Sequence, residues 1–210
     1  MTVQRKAEPA PRPYRMRARL EGIEETRQRI AAATFELHAT IGPAKTTISA
    51  IADRAGVQRH TVYHHFPDLI SLFQACTAHG IRVTKPPTAE GWRAVADPSA
   101  RARHALGELY PYYRQHARLI GNVVRDMPLI PGGIEGSREF LDIGQSWFEA
   151  LSEGWPASTA SATAVEAALR HALDYGTWLS LTSQGLSDDQ AADAMGSFIS
   201  LMSGRPPTDV

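Results

Sequence analysis

Apolar residues recur along this chain at intervals of three and four, and strand-like alternation is nearly absent. Over residues 23–40 the positions Ile23, Ile30, Ala33, Phe35 and Leu37, with Ile41 just beyond, fit one helix with a broad buried face. Glu24 and Glu25 lie in its first turn, where they complement the helix dipole, and Gly42-Pro43 ends it. Thr47 is an N-cap candidate for a second helix, 48–55, which turns Ile48, Ile51 and Ala52 inward and stops at Gly56. A short third helix, 58–65, is closed by Phe66-Pro67. A fourth, from 68 to about 80, carries Leu69, Leu72, Phe73 and Cys76 at helical spacing. Lys85-Pro86-Pro87 reads as a linker, after which the helical pattern resumes over 99–117, 119–126, 136–154, 162–184 and 187–203. The expected fold class is all-α.

Composition narrows this further. With 210 residues the chain needs no disulfide or metal to bury a core. The single cysteine, Cys76, suits a reducing compartment and reads as core. The first twenty residues are basic and proline-rich with no apolar segment behind them, so no secretory signal is expected. No run approaches the ~18 apolar residues that cross a bilayer, so a cytoplasmic protein without a membrane partner is expected. The net charge of zero is unevenly spread. Residues 1–75 hold eleven Lys/Arg against seven Asp/Glu, and residues 76–210 hold eleven against fifteen. A basic first third on an acidic remainder fits a nucleic-acid-binding head on a body that stays clear of the polymer. Residues 1–22 read as a disordered basic arm, because Pro9, Pro11 and Pro13 oppose helix and Arg5, Lys6, Arg12, Arg15, Arg17 and Arg19 dominate the charge. Such an arm is either a solvated tail or a contact to the neighbouring minor groove or phosphates.

The two short helices meeting at Gly56 are the sharpest local feature. A helix-turn-helix needs a small residue where its helices cross, which Ala52 supplies, and a turn residue tolerant of positive φ, which Gly56 supplies. Val57, Val62 and Phe66 are the expected inner pins of the second helix. Gln58, Arg59, His60, Thr61, Tyr63 and His64 then face outward, with no acid among them. Arg59 suits bidentate pairing with guanine, Gln58 with adenine, and the Thr61 methyl suits thymine.

The segment Ile48-Ser49-Ala50-Ile51-Ala52-Asp53-Arg54-Ala55-Gly56-Val57, followed by Thr61-Val62-Tyr63-His64-His65-Phe66-Pro67, resembles the TetR family of bacterial repressors. With the preceding helix, the likeness covers about forty-five residues. It implies a three-helix DNA-binding head over 23–80, a helical ligand-binding and dimerisation bundle over 81–204, and a short tail, 205–210. It implies a phosphate contact from Thr46 or Thr47, and DNA-facing roles for Gln58, Arg59, Thr61, Tyr63 and His64, with His60 a weaker candidate. It further implies a homodimer, a double-stranded operator, a small-molecule effector and no cofactor. The family usually carries a lysine two positions after Phe-Pro; this chain has Asp68-Leu69-Ile70, which leaves that phosphate anchor in doubt and reads Leu69 as core.

The same residues admit other readings. His60 and His64 share a helical face and His65 adjoins them, a spacing that can bind zinc, yet no further Cys/His cluster completes a site. No Gly-x-Ser-x-Gly or phosphate loop points to an enzyme. A helical protein-interaction module with the same architecture is the alternative to a DNA reader. Arg59 with Gln58, Thr61 and Tyr63, uncompensated by acids, suits phosphates and base edges better than an interface core.

In the body, Pro111 lies within the 99–117 helix, where a bend near Gly107–Pro111 is expected to act as a lever between pocket and head. Leu106, Tyr110, Tyr113, His116, Trp147 and Trp178 gather around it as an expected pocket lining, with Arg125 and His116 facing an anionic or polar end of the ligand. Each of these residues also has an ordinary core or surface reading. Two stripes, Val165, Ala168, Leu169, Ala172, Gly176, Leu179 and Ala191, Ala192, Met195, Phe198, Ile199, Met202, permit either dimerisation or packing within one subunit.

Overall fold

The computed structural model of the chain describes residues 12–155 and 159–204. Its first helix, α1 (Arg12–Thr40), starts eleven residues before Ile23, where the sequence pattern begins. The expected disorder of 1–22 is thus corrected for 12–22; residues 1–11 and the 205–210 tail lie outside the described residues. Pro13 is compatible with this helix because it falls in the first turn, where its missing N–H has no intrahelical acceptor. Arg17 and Glu21 then pair one turn apart on the exposed surface (3.1 Å). The buried stripe of α1 is Ile30, Ala31, Ala33, Thr34 and His38, whereas Ile23 and Ile41 are exposed.

Helices α2 (Ile48–Ala55) and α3 (Arg59–His65) fall where the caps and glycine place them. A 3-10 turn, Pro43–Lys45, joins α1 to α2. Together α1, α2 and α3 close a small core of Ile30, Ala33, Ile51, Ala52, Val62 and Phe66, completed by Leu72 of α4 (Leu69–Thr84). α4 runs past the expected boundary at 80 without a break, so one rod belongs to both head and body. Gly80 is a point of close approach and not an end: a Cβ there would lie 3.0 Å from the Phe35 ring of α1. The helix stops where Lys85 turns left-handed (φ 49) ahead of Pro86-Pro87. Leu69, read as core, is exposed at 40%.

The body comprises α5 (Ala89–Arg93), α6 (Pro98–Gln115), α7 (Ala117–Asp126), α8 (Gly133–Gly136), α9 (Arg138–Ser152), α10 (Thr159–Leu173), α11 (Tyr175–Ser183) and α12 (Asp188–Met202). α6 and α12 make its most extensive contact. The single 162–184 helix of the sequence pattern is two, because Asp174 adopts extended backbone and caps α11 through Thr177 N (3.2 Å). Pro111 lies within a continuous α6. Val165, Ala168, Leu169 and Ala172 of α10 and Ala191, Ala192, Met195 and Ile199 of α12 are buried in their own subunit. Leu179 of α11 and Phe198 and Leu201 of α12 remain exposed. Among the described residues no helix is long and apolar enough to cross a membrane.

Candidate functional site

The geometry of the reading helix follows from a few local bonds. The Thr47 hydroxyl accepts from Ala50 N (3.2 Å) and starts α2. Gly56 ends it at φ 64, ψ 40, a left-handed conformation that a side chain would strain. Ala52 (1% exposed) lies at the helix crossing, and Val57 N bonds back to Ala52 O (3.0 Å). Val62 and Phe66 anchor the inner side of α3. α1 adds a clamp that sequence reasoning missed: Arg27 donates to His65 O (2.7 Å) and lies over the Phe66 ring at 4.3 Å.

The outer face of α3 is left open. Gln58, Arg59, His60, Tyr63 and His64 are exposed and Thr61 is half-buried. Among the described residues none of their side chains makes a hydrogen bond or ion pair, and α3 itself carries no acid. His60 and His64 find no third partner: among the described residues no group of three His, Cys, Asp or Glu is placed to hold a metal. Thr46 and Thr47 differ. Thr46 donates its hydroxyl proton to Gly42 O (2.8 Å), while the Thr47 hydroxyl only accepts, so its proton remains available. Asp68 caps α4 by accepting from Ser71 N (2.7 Å). The hydrogen bonds from Ser71 hold its carboxyl below the usual carboxylate range.

α7 holds the approach to this head. Asn122 Nδ2 donates to His38 O (3.0 Å) and Ala39 O (3.3 Å), and Arg118 donates to Thr40 O. Asp126, 3% exposed, accepts from Ala44 N (3.0 Å) in the turn that leads into α2, and pairs with Arg125 (2.6 Å). The Arg125 guanidinium keeps the Asp126 carboxyl below its ordinary range, with the Ala44 N–H assisting. Gly42 permits this approach twice over: its φ is 89, and a Cβ would lie 2.6 Å from Asp126 Oδ2.

A cavity of about 330 Å³ lies at the same joint. Phe35 and His38 of α1 and Cys76, Thr77, Ile81 and Thr84 of α4 form one side. Tyr112 of α6, Ile120 and Val123 of α7, Met127 and Phe140 form the other, and Val124, Ile134 and Leu141 combine lining with an exposed apolar rim. None of the seven residues expected to line a pocket is among its walls. Leu106, Tyr110, Tyr113, Trp147 and Trp178 belong to the body core. Their polar tips are engaged there: Tyr110 donates to Ala172 O (2.9 Å), Tyr113 to Leu173 O (2.6 Å), Trp147 to Pro87 O (2.8 Å) and Trp178 to Asp188 (2.9 Å). Burial pushes the Tyr110 and Tyr113 phenols up. His116 packs on Tyr112 behind the wall (4.8 Å), and Arg125 is engaged with Asp126. His38, which the sequence reading passed over, is 1% exposed, and burial lowers its imidazole to about 4 against the pull of the Asp126 charge.

The family profile of bacterial regulatory proteins, tetR family, matches residues 30–76, the span from the middle of α1 to the middle of α4. The HTH-type transcriptional regulator SrpR of Pseudomonas putida is 35% identical over an 88-residue alignment that covers 39% of this chain and 41% of SrpR. The match thus spans about two fifths of that relative. Two solved structures share the fold over most of their length. A tetR-family transcriptional regulator from Streptomyces coelicolor superposes with TM-score 0.60 at 19% identity, over 86% of this chain and 83% of that one. NalD, the secondary repressor of the MexAB-OprM multidrug efflux pump in Pseudomonas aeruginosa, superposes with TM-score 0.58 at 20% identity, over 90% and 100%.

Proposed function

We propose that this chain, which is similar to bacterial regulatory proteins of the tetR family over residues 30–76, acts as a homodimeric repressor that binds a palindromic operator and leaves it when a small molecule occupies the cavity at the head–body joint. The observation that carries this reading is the outer face of α3, whose donors and acceptors are exposed, unpaired among the described residues and unaccompanied by an acid. A helix of seven residues is about 10 Å long and reads only a few base pairs. Specificity therefore requires two copies, and two-fold symmetry requires half-sites a helical turn or more apart. In this reading Arg59 and Gln58 contact base edges, Thr61 meets a thymine methyl, and Thr47, Tyr63 and His64 contact the backbone. Leu179, Phe198 and Leu201 supply exposed apolar surface for pairing on α11 and α12.

Release requires that the ligand favour a head spacing that does not fit DNA, since it shifts the equilibrium only by its differential affinity. The supporting feature is α7, which supplies Ile120 and Val123 to the cavity wall and Asn122 and Asp126 to the end of α1 and the turn before Thr46. We therefore assign the link to α7, in preference to Pro111. Repression is carried over from NalD, which is a repressor. The test is selection of genomic fragments by the purified chain at moderate salt, followed by sequencing of what is retained. Enrichment of a palindrome is expected. Recovery of no preferred sequence, with binding lost steeply as salt rises, overturns the reading in favour of nonspecific attraction.

A further inference from the structure

The cavity at the joint has a composition that restricts what can fill it. Among the described residues no Asp, Glu, Lys or Arg lines it. Three of its polar groups have their protons engaged nearby: Thr77 donates to Gly136 O (3.1 Å), Ser137 to Gly133 O (2.9 Å), and Thr84 to Gly80 O (2.9 Å) while meeting Tyr112 Oη (3.1 Å). His38 is different. Its Nδ1 faces Cys76 Sγ (3.6 Å), and its Nε2 is buried with no partner among the described residues. An unpaired polar atom in an apolar interior is costly unless something completes it.

We propose that the effector is an uncharged, largely apolar alcohol or phenol of one or two rings, with its hydroxyl hydrogen-bonded to His38 Nε2. This assignment rests on the reading of the cavity as the effector site. The size follows from the volume, roughly twice the ~150 Å³ apolar cavity that accepts a benzene ring. The absence of charge follows from the walls, where a carboxylate or ammonium would be desolvated without a counter-charge. The hydroxyl follows from the imidazole: neutral histidine offers Nε2 as donor or acceptor according to tautomer, and a hydroxyl serves either. The exposed apolar rim of Val124, Ile134 and Leu141 gives such a molecule an entry. Because His38 belongs to α1, the ligand would touch the DNA-binding head itself.

Calorimetric titration of the full chain with 2-naphthol, its methyl isostere 2-methylnaphthalene, and 2-naphthoate tests the assignment. 2-Naphthol is expected to bind about fivefold or more tightly than 2-methylnaphthalene, the worth of one hydrogen bond, with 2-naphthoate at least about tenfold weaker than 2-naphthol. In His38→Leu the preference for naphthol over its isostere should fall to about one. Equal binding of the two neutral probes by the wild type, naphthoate as tight as naphthol, or no binding of any probe overturns the assignment. Operator affinity is read separately. Naphthol bound in the expected order with operator affinity unchanged supports the ligand class and overturns effector control by this cavity.

Discussion

The reading head and the helical body differ in how they use polar side chains. On α3 and at its N-cap, Gln58, Arg59, Tyr63 and His64 hold their hydrogen-bonding groups exposed and unpaired among the described residues. In the body, Trp92 donates to Glu108 (2.7 Å), Tyr175 to Ala117 O (2.9 Å), and Tyr110, Tyr113, Trp147 and Trp178 are likewise bonded inside. A polar tip on an aromatic ring therefore marks structure when it is satisfied and function when it is open. Among the described residues two buried imidazole nitrogens stay open in this way, His38 Nε2 in the wall of the joint cavity and His116 Nε2 behind it.

The largest effect should come from breaking the satisfied side of the comparison. Arg101 is 6% exposed and donates to four carbonyls: Val95 O (2.8 Å), Ala96 O (3.2 Å), Ala150 O (3.0 Å) and Glu153 O (3.0 Å). It ties the start of α6 to the C-terminal end of α9. Arg101→Met keeps the apolar stem and leaves those carbonyls without their donor. Urea unfolding should report a loss of about 3 kcal/mol, with the operator affinity of the folded fraction unchanged. A loss below about 1 kcal/mol would falsify the view that such bonds carry the body's stability.

His38 should behave in the opposite way. Leucine at this position replaces an unsatisfied imidazole by apolar volume, so His38→Leu should gain about 1 kcal/mol at pH 7. The imidazole also imposes a pH dependence. Its folded pKa, about 4, lies below the unfolded 6.5, so between these values the unfolded chain takes up a proton that the folded chain refuses. Its contribution is complete above about 6.5 and declines as pH falls toward 4. Between pH 7 and pH 5 the wild type should lose about 2 kcal/mol more than His38→Leu in urea unfolding. Asp126, whose folded pKa is depressed, acts lower: its stabilisation is present above the ordinary carboxylate range and is lost as pH falls below it. Parallel pH profiles for the two proteins would remove His38 from the account.

The sequence makes the head legible and the joint obscure for a physical reason. The head is specified within some twenty residues by local chemistry: Thr47 caps, Gly56 turns, and Ala52, Val62 and Phe66 set which side of each helix faces in. The cavity is assembled from α1, α4, α6, α7 and α9, and no local spacing records which neighbours those helices meet. The sequence pattern reads Tyr110 and Trp178 as pocket lining, but their direction into the core and onto Ala172 O and Asp188 depends on helices distant in sequence. Pro13 was read as a breaker regardless of position, although a first-turn proline is compatible with helix. A signal for His38 did exist: Ile30, Thr34 and His38 recur every fourth residue, placing two polar groups on a buried stripe. Thr34 satisfies itself on Ile30 O (2.8 Å); His38 does not.

On the open side of the comparison the expected effects are on binding. Arg59→Ala should leave stability unchanged, cost roughly 1–3 kcal/mol at the selected operator and relax preference at one base position. If it weakens operator and random DNA equally, Arg59 is a phosphate contact. Arg27→Ala is the control for position against chemistry. It removes the clamp on His65 O and Phe66, so it should lower stability by about 1–2 kcal/mol and weaken all DNA sequences together.

The smallest effect separates two jobs at one hydroxyl. Thr47 accepts from Ala50 N to cap α2, and its proton faces no partner among the described residues. Thr47→Ala loses both functions, at about 1 kcal/mol of stability for the cap alone. Thr47→Asp keeps an acceptor at the helix N-terminus, where a negative charge is favourable, and should restore that stability. It has no proton to donate and repels phosphate, so operator binding should fall further than in Thr47→Ala, with a shallower salt dependence. Recovery of both stability and DNA affinity in Thr47→Asp would assign the hydroxyl to capping only, and would move the phosphate contact at the start of α2 away from Thr47.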